Sequence, residues 1–143
     1  MTELEIEEFN DSLARCMRNE RFIERFYEIF LGSSEEVREK FKNTDMKKQR
    51  RVLKSSLLMM MMVADSKPEG MVHLDRIAAI HSKYEHDIPD YMYDIWLYCL
   101  VQAVKEHDDH FTPEVEQVWR KMMRQGVDYM KAHYDTPKKD PAG

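Results

Sequence analysis

Apolar residues return at helical spacing along nearly the whole chain, and no run alternates convincingly enough to read as a strand. The clearest case is Phe22, Ile23, Phe26, Tyr27 and Phe30, whose i, i+1, i+4, i+5, i+8 spacing gives one wide aromatic face. Punctuation between such runs predicts where helices begin and end. Thr2 with Glu5 makes a capping-box pattern that opens a first helix ending near Arg18. Asn19 is placed to cap the second helix, which closes at Gly32. Ser33 with Glu36 repeats the capping pattern ahead of a short helix ending near Phe41. Thr44 or Asp45 caps a long segment from Met46 to about Ser66, stopped by the turn Lys67-Pro68-Glu69-Gly70. A further helix carries Leu74, Ile77, Ile80 and His81 and ends before Pro89. Pro89 suits the first turn of the next, which runs through Tyr93, Trp96, Leu97, Leu100 and Val104. Thr112-Pro113 reads as the N-cap and first residue of a last helix, through Val115, Val118, Trp119, Met122, Met123 and Met130 to Tyr134.

The expectation is an all-α protein of seven or eight helices without an internal repeat. Residues 1–134 form one domain, and residues 135–143, rich in proline and charge, are a disordered tail. Composition agrees. Only 4 glycines and 5 prolines punctuate 143 residues, and 43% hydrophobic content is enough for a sizeable core.

The net charge of −5 argues against nucleic acid as the main partner, because phosphate binding needs a basic surface. The run Lys47-Lys48-Gln49-Arg50-Arg51 is a local exception, and as a charge pattern it reads as a solvated helix face. The longest apolar run, Leu57 to Ala64, is far short of the roughly 20 residues that cross a bilayer. The acidic N-terminus lacks the basic and apolar parts of a signal peptide, so a cytoplasmic location without membrane partners is expected. Cys16 and Cys99 have no metal-ligand spacing and read as reduced, buried thiols. The run Met59-Met60-Met61-Met62 covers all faces of a helix and reads as packing rather than as a source of an axial ligand.

His81 is the one histidine set in the middle of an apolar-faced segment just before a helix break. The other five, His73, His86, His107, His110 and His133, lie at helix ends or among charges. Tyr27 and Phe41 stand 14 residues apart, and Gln49 precedes His81 by 32. With this order of helices, the chain resembles single-domain bacterial globins, the bacterial haemoglobins and the haem domain of flavohaemoglobins. The likeness rests on Phe26-Tyr27-Glu28-Ile29-Phe30, Glu36 to Phe41, Met46 to Leu53, His81, Ile88-Pro89-Asp90 to Tyr93, and Trp119. It spans about residues 5 to 134.

What that resemblance implies is a globin fold around haem b (iron protoporphyrin IX), with His81 as the protein's ligand to the metal. A neutral imidazole nitrogen takes the iron, and the other ring nitrogen donates a hydrogen bond that tunes it. Ile77, one turn before His81, would pack on the porphyrin. Phe41 would stack on the ring. Tyr27 and Gln49 would donate hydrogen bonds to a diatomic ligand, with Arg50 as the rival occupant if the helix is turned by one residue, and Leu53 would wall the pocket. Tyr93 matches a tyrosine that supports the proximal histidine in this family. The glutamate that usually accompanies it falls near His133 or Tyr134, where no carboxylate follows Asp128 until the tail, and the segment between His81 and Ile88 is about two residues longer. Both departures weaken electron donation to iron.

The resemblance therefore implies reversible binding of dioxygen or another diatomic ligand such as carbon monoxide or nitric oxide, rather than catalysis. Nitric oxide dioxygenation with an external reductase is the enzymatic alternative, since no flavin- or nicotinamide-binding segment is expected beyond residue 134. A gas sensor read by a partner is the third. The oligomeric state is left open.

Overall fold

The computed structural model describes residues 1–64, 67–83 and 85–135 and contains, among them, seven helices and no strand. They are α1 (Glu3–Met17), α2 (Phe22–Ser33), α3 (Glu35–Phe41), α4 (Met46–Ala64), α5 (Pro68–His81), α6 (Asp90–His107) and α7 (Pro113–Ala132). The tail expected to be disordered lies outside the described residues from position 136 onward.

Local chemistry sets most of the boundaries. The capping box at α1 is complete: the Glu5 amide donates to the Thr2 hydroxyl and the Thr2 amide to the Glu5 carboxylate, each at 3.1 Å. At α7 the Val115 amide donates to the Thr112 hydroxyl at 3.2 Å, with Pro113 in the first turn. At α4 the Lys48 amide donates to the Asp45 carboxylate at 3.2 Å, which decides between Asp45 and Thr44.

Four boundaries differ from the sequence reading. Ser34, not Ser33, caps α3, accepting from the Glu36 amide at 3.1 Å, because Ser34 is extended while Ser33 completes α2. Asn19 accepts from the Arg21 amide at 2.9 Å and so closes the turn before α2 instead of capping the helix. Pro68-Glu69-Gly70 opens α5 rather than forming a separate turn, since proline's missing N–H costs nothing in a first turn. Pro89 is the extended residue just before α6, not its first helical residue.

The core runs the length of the molecule. Phe9, Phe22, Phe26, Leu57, Leu100, Trp119 and Met122 are all fully buried. α2 packs on α6, α4 on α5, and α7 on both α1 and α5. The aromatic face of α2 is used as its spacing demands, with Phe26 stacked on Phe30 at 5.4 Å and edge-on to Trp96 at 6.0 Å. Gly126 lets α7 approach closely: a Cβ there would lie 3.1 Å from Cε of Met60. Met60 is thus a packing residue, as the four-methionine run suggested. Cys16 and Cys99 are free and buried.

One polar cluster sits inside this core and ties α1 to the end of α6 and to α7. The fully buried Asp108 carboxylate accepts from the Ser12 hydroxyl at 2.6 Å and from Arg15 at 2.5 and 3.0 Å. Ser12 in turn accepts from the Trp119 indole at 2.8 Å, and Phe9 packs edge-on to that indole at 4.7 Å. Burial alone would raise the Asp108 pKa, but Arg15, Ser12 and the His110 amide outweigh it and hold the carboxyl below its ordinary value. No helix among the described residues is long and apolar enough to cross a membrane.

Candidate functional site

α5 and α4 pack against each other, and each presents a polar group near the end of an apolar stripe. On α5 that group is His81, the last helical residue, half-buried. Its Nδ1 lies 2.8 Å from the carbonyl oxygen of Ile77, one turn back. A carbonyl only accepts, so the proton belongs on Nδ1 and the lone pair on Nε2. Burial, opposed by that carbonyl bond and aided by the nearby His86, lowers the His81 pKa and keeps the ring neutral. The result is an imidazole with one nitrogen anchored and a lone pair on the other.

The loop after His81 is pinned by residues that sequence reasoning did not single out. The Ile88 amide donates to the His81 carbonyl at 3.1 Å, and the Lys40 ammonium of α3 donates to the carbonyls of His86 and Asp87 at 3.1 and 3.0 Å. Asp87 adopts a left-handed φ of 51°, a conformation aspartate tolerates better than most residues. The Tyr134 hydroxyl donates to its carboxylate. Only the Asp-Ile-Pro turn chemistry was visible in the sequence; the partners from α3 and from beyond α7 are tertiary.

Around His81 the rings of His86 and Tyr93 each lie 6.3 Å away. Tyr93 is buried, and burial together with the Asp90 charge raises its pKa, so it stays a phenol. The outer nitrogen of His81 has a backbone carbonyl as its partner and not a carboxylate. His133, near where counting placed the missing glutamate, instead stacks on Tyr129 at 4.0 Å, and the Tyr129 hydroxyl donates to Asp75.

Gln49 of α4 donates through Nε2 to the Tyr27 hydroxyl of α2 at 3.2 Å. Because the phenol oxygen accepts that bond, its single proton is left to point elsewhere. Burial pushes the Tyr27 pKa up to about 12, against smaller opposing effects of the Gln49 bond and the Arg50 charge, so the hydroxyl is a donor across the physiological range. Gln49, rather than Arg50, makes the hydrogen bond to Tyr27. Phe41 is half-buried with its ring 6.1 Å from Tyr27 and 5.8 Å from Phe30. Leu53, one turn beyond Gln49, is buried. Ile77 is half-buried one turn before His81.

An imidazole lone pair, apolar walls and a pair of neutral donors form the donor set that suits an iron porphyrin with a small polar ligand. Such a set carried on seven helices is of the kind found in helical haem proteins. A family model described as Globin matches residues 23–130. A solved structure from Pseudomonas aeruginosa, of a protein described as structurally highly homologous to a human haemoglobin, is 33% identical and covers 91% of this chain and 98% of its own, with a TM-score of 0.86. No curated protein matches the chain. The chain belongs to the globin family.

Proposed function

We propose that this globin holds one haem b between α4 and α5 and takes up a diatomic gas reversibly, dioxygen first among the candidates. When bound, the haem supplies an iron that accepts dioxygen, carbon monoxide or nitric oxide. His81 ligates through Nε2 while its Nδ1–H stays on the Ile77 carbonyl. Phe41, Leu53 and Ile77 would keep water from the bound haem, and Tyr93 would support His81. Tyr27 offers its free proton to a ligand that carries partial negative charge, and Gln49 orients that phenol and adds a second amide hydrogen.

The observation that carries reversibility over catalysis is the partner of His81 Nδ1. A carboxylate there would make the imidazole anionic in character and push electron density toward the metal. A backbone carbonyl holds the ring in place and leaves it a neutral ligand. That favours binding and release over oxidative turnover. The experiment is a comparison of the oxygenated protein with and without nitric oxide and a reductase. Reversible binding predicts a stable oxygenated spectrum, slow autoxidation and no more than stoichiometric nitric oxide consumption. Sustained, reductase-dependent consumption would place the protein among nitric oxide dioxygenases instead. The setting we propose is cytoplasmic, where such a ligand and a reductant are both at hand.

A further inference from the structure

The first turns of the helices follow the macrodipole rule with one exception. α1, α2, α3, α5, α6 and α7 each open with at least one Asp or Glu, where negative charge meets the positive end of the helix. α4 has no acidic residue in its first turn and carries Lys47 and Lys48 there. Beyond its cap Asp45, nothing offsets them: among the described residues Lys47, Lys48, Arg50, Arg51 and Lys54 enter no ion pair. Cations at this end of a helix, crowded by further cations, work against folding. Elsewhere cations such as Arg25, with Glu28 and Glu106, are ion-paired, and among the described residues others outside an ion pair, such as Arg18, Lys67, Arg76, Lys105 and Arg124, are scattered rather than gathered on one helix.

The geometry of the stripe is regular. Gln49, Leu53, Leu57 and Met60 form the inward face of α4, and Lys47, Arg51 and Lys54, at i, i+4 and i+7, run along the opposite face and are exposed. Val52 and Leu58 lie beside them, 43% and 42% exposed, two large apolar side chains at the flank and far end of a cationic strip. The inner face of this helix carries Gln49, so the strip and the gas site are separated by one helix diameter, about 10 Å. A body carrying net charge −5 that gathers four exposed, unpaired cations on this helix, Lys47, Lys48, Arg51 and Lys54, while Arg50 is half-buried, has a local positive patch.

We propose that the outer face of α4 is the docking surface for an acidic electron-donor protein, an inference that rests on the haem reading above. Charge complementarity selects the partner: an acidic surface satisfies the unpaired cations, and Val52 and Leu58 supply a small apolar contact of the size typical of transient redox encounters. Docking there keeps the globin in the form that takes up gas. One electron leaves the donor's reduced flavin or iron–sulfur centre, which is oxidised by one unit, and returns ferric iron to ferrous; no bond forms or breaks.

The test compares the wild-type holoprotein with a Lys47→Glu/Arg51→Glu/Lys54→Glu variant, using a reduced flavodoxin as an acidic donor and photoreduced lumiflavin as an uncharged one. For wild type, reduction by flavodoxin falls at least tenfold between about 10 and 200 mM salt. In the variant the low-salt rate drops at least tenfold and loses its salt dependence, while reduction by lumiflavin is unchanged. The variant melts no lower than wild type, because a glutamate at position 47 suits the helix dipole and the other two reversals relieve repulsion among neighbouring cations, which separates docking from folding. Equal flavodoxin rates and equal salt slopes in the two proteins would overturn the proposal. So would a charge-dependent association with phosphatidylserine vesicles or duplex DNA with flavodoxin reduction unaltered. Binding of oxidised flavodoxin, read by titration calorimetry, requires no haem. Loss of that binding in the variant therefore supports the docking surface even if the pocket reading fails.

Discussion

The Gln49 amide donates to the Tyr27 hydroxyl at 3.2 Å, joining α4 to α2 through the one hydrogen bond that leaves the phenol proton uncommitted. The bond does two things. It fixes the rotamer of a buried tyrosine, and it turns that tyrosine into a donor aimed away from Gln49, where a polar gas ligand would need one.

Removing the hydroxyl isolates this effect. Tyr27→Phe keeps the ring packed on Phe26 and Phe41 and deletes the hydroxyl, which removes the donor to the ligand together with the acceptor of the Gln49 amide. A net hydrogen bond of about 0.5–1.5 kcal/mol corresponds to dioxygen leaving about two to twelve times faster, with carbon monoxide, a less polar ligand, affected far less. Flash photolysis and stopped-flow dissociation check it. Gln49→Leu is expected to shift dissociation in the same direction by freeing the phenol to rotate.

The Asp108 cluster governs stability rather than gas binding. Asp108→Ala leaves Arg15 and Ser12 without their shared partner inside the core, a defect of about 3–5 kcal/mol, and it lowers the denaturation midpoint without changing the ligand spectra. Wild-type stability also has a defined acid limb. The Asp108 pKa is depressed in the folded protein, so the unfolded chain binds the proton first as pH falls. The contribution is complete above the unfolded carboxyl pKa of about 3.9 and is lost as pH drops through the folded value. In urea titrations from pH 7 to pH 3, the stability gap between wild type and Asp108→Ala should be constant down to about pH 4 and begin to narrow below it.

Gly126 gives a packing test. An alanine Cβ would stand 3.1 and 3.2 Å from Cε and Sδ of Met60, the mobile end of a flexible side chain. Gly126→Ala should therefore be close to neutral, the helix-propensity gain of about 1 kcal/mol offsetting the shift of Met60. Gly126→Val, whose branches cannot be absorbed that way, should cost about 1–3 kcal/mol in chemical denaturation.

The fold was largely readable before any coordinates, for an identifiable reason. Helix-period apolar runs separated by Thr2, Asp45 and Thr112 caps are local signals, and local signals survive into the structure. The errors came where two local signals competed. Ser33 and Ser34 both suit a cap, and only backbone conformation decides between them. Pro68 and Gly70 look like a turn, yet the same residues open a helix when Lys67 is extended. For the site, residue type and spacing singled out His81, Tyr27, Gln49 and Phe41, and the structure brings Tyr27, Gln49 and Phe41 together. The sequence was silent on the partner of His81 Nδ1, because a backbone carbonyl one turn away has no side-chain signature. Lys40 and Tyr134 were missed because their link to the loop after His81 spans 46 and 47 residues.

The central claim is that His81 is the protein's ligand to a haem iron, and haem titration of the purified chain followed in the visible range tests it most directly. The expected result is a Soret band that saturates at about one haem per chain, shifts on reduction and again on adding carbon monoxide, and is lost or displaced in His81→Ala. A chain that develops no Soret band on reconstitution, or a His81→Ala variant with wild-type haem content and spectra, would contradict it.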